Sequence, residues 1–174
     1  MMKGISHIEV NVPDYKKALP FYDRMFGWLG WKSFSTLGID YMGTYYTAFP
    51  HSYIGIQPAK IDESARSHSK QRTGLNHISL SAKSKKQVDH FYHDFLLPEG
   101  VIVTEKPTYY DYTPTYYAVF FNDVAGIHWE LAYMPLIPSP IALWKWWKYG
   151  KKLKNEHPEW KRNVWFEAQR KLPK

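Results

Sequence analysis

The chain is expected to be α+β, two tandem βαβββ modules followed by a C-terminal helical tail, and three observations carry that expectation. The segment Gly4-Ile5-Ser6-His7-Ile8-Glu9-Val10 is answered by Gly74-Leu75-Asn76-His77-Ile78-Ser79-Leu80. Self-similarity at a fixed offset is the mark of a repeated structural unit. The same offset aligns Ala18, Phe21, Tyr22, Met25 and Phe26 with Val88, Phe91, Tyr92, Phe95 and Leu96, and both sets have the spacing of a one-sided helix. Thr44-Tyr45-Tyr46-Thr47-Ala48-Phe49 then matches Thr115-Tyr116-Tyr117-Ala118-Val119-Phe120, with one residue gained.

Each copy reads as strand, helix and three further strands. The first strand of each carries the Gly-x-x-His segment. The first helix opens at Asp14, and Pro20 within it predicts a kink or a late start, because an internal proline loses a backbone bond and clashes with the preceding turn. The second helix opens with a capping box, Ser84 and Gln87, each side chain meeting the other's free N–H. The remaining strands fall at Trp31–Leu37, Thr44–Phe49 and Tyr53–Gln57, then at Val101–Thr108, Thr115–Phe121 and Ile127–Tyr133. Module one thus covers 4–59 and module two 74–135, together a domain over 1–135. The polar, aperiodic stretch 60–73 is a linker, and 136–174 is a separate basic, Trp-rich extension.

Composition bounds the function. Hydrophobic residues at 44% and charged residues at 22% supply a core, so the chain folds rather than staying disordered. No apolar stretch is long enough to span a bilayer and the N-terminus lacks a secretory apolar region, which predicts a soluble cytoplasmic protein. With no cysteine, any metal must be held by His, carboxylate, amide or water. The net charge of +7 suggests a polyanion partner until it is located: residues 136–174 hold ten Lys/Arg and three Glu, while 1–135 are balanced. A nucleic-acid partner for the body therefore has no electrostatic support.

Strand alternation places the chemistry. In the first strand Ile8, Val10 and Val12 suit the helix layer, leaving His7, Glu9 and Asn11 on the other face. In the second module Ile78, Leu80 and Ala82 leave His77, Ser79 and Ser81. The last strand sets Ile127, Trp129 and Leu131 against His128, Glu130 and Ala132. A lone strand histidine is ordinarily a packing residue, but two at equivalent positions with a matching acid form a facial two-His, one-carboxylate ligand set with open positions. His7, His77 and Glu130 are the candidate metal ligands. Glu130 and His128 are the candidate catalytic groups, His128 as a proton carrier or second layer, with plain solvent exposure as its ordinary reading. Glu9 could orient His7. One tyrosine of each pair, Tyr45/Tyr46 and Tyr116/Tyr117, is expected to line a cavity, and His51, His68, His90, His93 and His157 are assigned to surfaces or turns.

These features, with the ending Tyr-Tyr-Ala-Val-Phe-Phe-Asn-Asp-Val-Ala-Gly-Ile-His-Trp-Glu-Leu over 116–131, resemble the vicinal oxygen chelate superfamily. That group holds glyoxalase I, extradiol dioxygenases, fosfomycin-resistance enzymes, methylmalonyl-CoA epimerase and bleomycin-resistance proteins. The resemblance spans about residues 4–135 and implies a curved mixed sheet around a cavity. It maps the family's ligands onto His7, His77 and Glu130, holding a divalent Fe, Mn, Ni, Co or Zn. A small molecule chelating the metal through vicinal oxygens is the implied substrate, turned over by lyase, isomerase or ring-cleaving dioxygenase chemistry. The fourth ligand position falls on Gly55 or Gln57, neither a carboxylate, which disfavours a standard glyoxalase I. The alternative is a non-catalytic binding protein similar to bleomycin-resistance proteins. Sheet edges of paired modules suggest a homodimer.

The extension holds five of the eight tryptophans after Pro135, Pro138 and Pro140. Helices are expected at Pro140–Leu153 and Pro158–Lys171. Contact with an anionic membrane or a polyanion is one reading of this segment. Packing of the tryptophans on the body or a partner subunit, with Lys and Arg in water, is the plainer one.

Overall fold

The computed structural model describes residues 5–35, 43–48, 51–60, 68–71, 73–110, 115–135, 139–156 and 158. The elements run β1 (His7–Val12), α1 (Tyr15–Trp28), β2 (Lys32–Ser35), β3 (Gly43–Ala48), β4 (His51–Pro58), then β5 (Ile78–Ser81), α2 (Lys85–Phe91), β6 (Ile102–Tyr109), β7 (Tyr117–Asn122) and β8 (His128–Tyr133). A π-helical turn (Tyr92–Leu96) and a short α3 (Leu97–Glu99) prolong α2, and α4 (Pro140–Glu156) closes the described chain. Among the described residues the strands form two four-stranded sheets rather than one continuous sheet, ordered β1-β4-β3-β2 and β5-β8-β7-β6. Each is mixed: β1–β4 and β5–β8 are parallel, and the other pairs antiparallel.

The helices start where the sequence places them. Asp14 accepts from the Lys17 amide at 3.2 Å, so α1 begins at Tyr15 and runs through Pro20 rather than starting late. Pro20 and Lys16, whose carbonyl loses its partner, are both exposed residues, and only the second turn gives up an intrahelical donor. Ser84 accepts from the Gln87 amide at 3.1 Å. The return bond differs from the expected box: the Gln87 side chain accepts from the Lys83 amide at 2.7 Å, one residue before the cap. Gly100 ends α3 at φ 67°, a left-handed geometry that costs a residue with a Cβ.

The two helical stripes bury the ten predicted residues, and they do so against each other as well as against the sheets. Phe21 meets Phe95 at 5.8 Å between ring centroids, Trp28 meets Phe91 at 5.1 Å, and Phe26 meets Trp129 at 5.9 Å. Each such ring contributes about 1.5–3 kcal/mol when withdrawn from water.

A buried polar hub joins α1 to the β7–β8 turn. Asp123 accepts from the Tyr22 hydroxyl at 2.5 Å, the Trp129 indole at 2.6 Å, and the amides of Ala125 and Ile127 at 2.8 and 2.9 Å. Burial raises its carboxyl above the ordinary value, against the pull of those four donors.

Register corrects one sequence alignment. Glu9 pairs with Gly55 and Gly55 with Thr44, whereas Ser79 pairs with Glu130 and Glu130 with Phe120. The counterpart of Thr44 is therefore Phe120 and not Thr115. Thr115 and Tyr116 precede β7, and strand pairing, which must keep the apolar face inward, overrides local similarity.

The expected Pro140–Leu153 helix is present as α4, three residues longer, with the Leu143 amide bonded to the Ser139 carbonyl at 2.9 Å. The expected helix at Pro158–Lys171 and most of the 60–73 linker lie outside the described residues, as does His157.

Candidate functional site

The faces turned away from the helices carry the polar residues that alternation assigns to them. His77, immediately before β5, and Glu130 on β8 meet, with Nε2 3.2 Å from Oε2. Glu130 is only 2% exposed, and a buried carboxylate demands partners. The Tyr116 hydroxyl donates to its other oxygen, Oε1, at 2.7 Å. Of the second tyrosine pair, Tyr116 thus faces the site, while Tyr117 donates to Asp89 on α2 at 2.6 Å. Tyr45 likewise turns to the helix side, donating to Asp23 at 2.7 Å.

The tautomer of His77 follows from its neighbour. The Asn76 amide nitrogen donates to the Lys70 carbonyl at 2.9 Å, which leaves Asn76 Oδ1 facing His77 Nδ1 at 2.6 Å. Oδ1 is an acceptor, so Nδ1 carries a proton; Nε2 then either donates to Glu130 Oε2 from a doubly protonated ring or is bare in a singly protonated one. With the ring singly protonated, two acceptors, Nε2 and the carboxylate Oε2, face each other. That arrangement repels unless a cation, a proton or a metal ion, lies between them. Two ligands about 2.1 Å from one ion, subtending about 90–110°, stand roughly 3.0–3.4 Å apart, and the observed separation falls within that range. His77 and Glu130 fit two adjacent positions on a metal.

His128 is buried, not solvent-exposed as its ordinary reading has it. Its ring stacks on Phe120 at 5.8 Å and stands edge-on to His77 at 6.0 Å. Its Nδ1 lies 2.7 Å from Asn122 Oδ1. Burial, reinforced by the positive surroundings of Lys70, His77 and His68, holds the imidazole below its ordinary pKa. Asn76 and Asn122, which orient the two histidines, were not legible as site residues. The available signal was position alone, one beside His77 in sequence and the other opposite His128 in register.

His7 stands apart from this pair. It is exposed, stacks on Tyr53 at 4.8 Å and 9°, and has Nδ1 3.2 Å from the Ser6 hydroxyl. It lines a cleft of about 440 Å³ with Trp31, Tyr53, Ser79 and Ser81, which neither His77 nor Glu130 lines. Among the described residues of one chain, no three His, Asp or Glu side chains gather as a metal-holding group. The register also decides the fourth position: Gly55, paired with Glu9, is the counterpart of Glu130, and Gln57 pairs with Asn11 one step further along. Glu9 is exposed. His90 and His93 are surface residues as expected, and His68 is half-buried with Nε2 3.0 Å from the Leu75 carbonyl. The His51 side chain lies outside the described set.

Two βαβββ-ordered sheets, with a His and a Glu meeting on the face away from the helices of the second, define a glyoxalase-type fold. The chain belongs to the Glyoxalase/Bleomycin resistance protein/Dioxygenase superfamily, whose family model matches residues 4–131. Among solved structures, it is similar to a Bacillus halodurans protein provisionally assigned as a glyoxalase, at 23% identity and a TM-score of 0.63, covering 76% of this chain and 97% of that one. A glyoxylase/bleomycin resistance protein/dioxygenase domain from Frankia gives 20% identity and a TM-score of 0.61, covering 78% and 95%. The fosfomycin resistance protein FosX of Listeria monocytogenes gives 21% and 0.56, covering 78% and 97%. These likenesses establish the fold. No curated protein matches the chain.

Proposed function

We propose that the protein is a divalent-metal-dependent enzyme acting on a small molecule that offers two neighbouring oxygens to the metal, in lyase, isomerase or dioxygenase chemistry. The observation that carries this reading is the approach of His77 Nε2 to Glu130 Oε2 at 3.2 Å, with Nδ1 and Oε1 already taken by Asn76 and Tyr116. Such outer partners fix the tautomer and orientation of metal ligands. The third ligand is His7, supplied by the partner subunit of a homodimer. The support is its position at the start of β1, equivalent in the repeat to His77 just before β5, together with its exposure and its separation from the pair within one chain.

A bound divalent ion would polarise substrate oxygens and stabilise negative charge developing on one of them. The chain's own residues do the rest. Tyr116 holds Glu130 so that Oε2 stays turned to His77. Phe120 and His128 wall off the ring of His77 and keep it edge-on. With Gly at the position equivalent to Glu130, Glu130 is the carboxylate available to move a proton. A second reading, a metal-free binding protein, is favoured by the meeting of only two donors among the described residues of one chain.

Elemental analysis of protein purified without chelator or affinity-tag metal separates the readings. About one metal ion per chain, lost in His77→Ala and in His7→Ala, is expected. Mixing equal amounts of His7→Ala and Glu130→Ala subunits should then restore metal to about a quarter of all sites, because random re-association makes half of the dimers mixed and one site of each mixed dimer has all three ligands. Metal retained in His7→Ala would remove His7 from the ligand set. No uptake of Fe, Mn, Ni, Co or Zn by the parent protein would leave the binding reading standing.

A further inference from the structure

Helix α4 presents to water what proteins ordinarily hide. Ile141, Leu143, Trp144 and Trp147 are 68%, 51%, 54% and 58% exposed. Lys145, Lys148, Lys151, Lys152 and Lys154 are exposed on the same helix, and its only acid is Glu156, 3.8 Å from Lys152. Two of the cations rest on indole rings: Lys148 Nζ lies 4.8 Å from the Trp144 ring centroid, and Lys151 Nζ 4.1 Å from that of Trp147. Large apolar groups clustered on a surface mark an interaction site, and the clustered lysines give it one sign.

The partner must therefore match both an apolar and a cationic demand within one helical surface. At 17 residues, α4 is about 26 Å long, and among the described residues no helix is long and apolar enough to cross a membrane. A helix lying flat on an anionic bilayer meets both demands. Tryptophan sits at the headgroup boundary with its apolar body toward the acyl chains, and lysine reaches the phosphates. Nucleic acid would satisfy the lysines and could stack on the indoles, but it would leave Ile141 and Leu143 in water. We propose that α4 binds the protein to the surface of membranes rich in anionic phospholipid, lying in the interface with Ile141, Leu143, Trp144 and Trp147 inserted and its lysines on lipid phosphates. This proposal is independent of the metal-site reading.

The test is co-sedimentation of the 174-residue chain with vesicles of phosphatidylcholine alone and of phosphatidylcholine mixed with phosphatidylglycerol. The chain should pellet with the mixed vesicles and not with the neutral ones, and high salt should release it. A lysine near such a surface strengthens binding about fivefold, so Lys148→Gln with Lys151→Gln should weaken it about 25-fold. Trp144→Ser with Trp147→Ser should weaken it at least about tenfold, through lost apolar burial. These side chains are exposed, so both variants should keep the parent's thermal midpoint, which shows that the body is folded. Four results would overturn the proposal. These are no pelleting at low salt, pelleting unaffected by both double substitutions, conversion of a dimer to a monomer by the tryptophan substitutions in light scattering, and tighter binding to a single-stranded oligonucleotide than to the mixed vesicles.

Discussion

Tyr22→Phe tests how the two halves of the molecule are joined. Tyr22 lies on α1, yet its hydroxyl donates to Asp123 in the β7–β8 turn, 101 positions along the chain. The substitution keeps the ring and its contacts with Phe21, Phe26 and Trp129, so no cavity opens and the change isolates one bond. That bond ends on a carboxylate that is 6% exposed. A hydrogen bond to a charged, buried group contributes about 1.5–3 kcal/mol, and about 2 kcal/mol is expected here because three donors remain. For a chain of this size that lowers the thermal midpoint by roughly 4–8 °C. The effect also depends on pH. Asp123 has a raised folded pKa, so it favours folding where it is protonated, and that contribution is lost as pH rises through the folded value. Removing a donor to the ionised form raises the carboxyl further. The gap between parent and variant should therefore be widest at neutral pH and close as pH falls through the carboxyl's raised range. Urea unfolding at neutral and acid pH measures both quantities. A loss below about 0.5 kcal/mol at neutral pH, or a gap that widens in acid, would refute the assignment of Asp123 as a buried polar hub that accepts from Tyr22 in its ionised form.

Three further outcomes follow from the same geometry. Tyr116→Phe frees Glu130 Oε1, and metal affinity measured by chelator competition should fall about 10–100-fold; unchanged affinity would show that Tyr116 does not set the carboxylate. Ser84→Ala removes the cap of α2 and should cost about 1 kcal/mol in urea unfolding, and a neutral result would mean that Gln87 alone holds the helix start. Glu99→Gln breaks the two-pronged contact with Arg24, at 2.6 and 2.7 Å. The guanidinium holds the Glu99 carboxyl below its usual range, so the pair stabilises above the unfolded carboxyl's pKa and its contribution is lost as pH falls through the lower folded value. Arg24 is half-exposed, so about 0.5 kcal/mol is expected, shrinking in high salt; a salt-independent loss would argue for packing instead.

The sequence by itself determined the periodic features. The helical stripes from Ala18 to Phe26 and from Val88 to Leu96 were legible because a core-facing helix must repeat its apolar residues every three to four positions. Alternation placed His77, Glu130 and His128 on one sheet face for the same kind of reason. Asp14 and Ser84 were readable as caps because their side chains bond within one turn. Tertiary structure alone decided whatever depends on pairing between distant segments. The alignment of Thr44 with Thr115 failed because register is chosen by how a strand packs on its neighbours, not by which residues recur along it. His7 and His77 are equivalent in the repeat, but one chain brings only His77 to Glu130. Equivalence by repetition gives each residue the same address in its own module and says nothing about how two modules face each other. Asp123 is the clearest case: its neighbours in sequence supply two amides and Trp129, but Tyr22 arrives only when α1 packs across the second sheet, and no local pattern records that meeting.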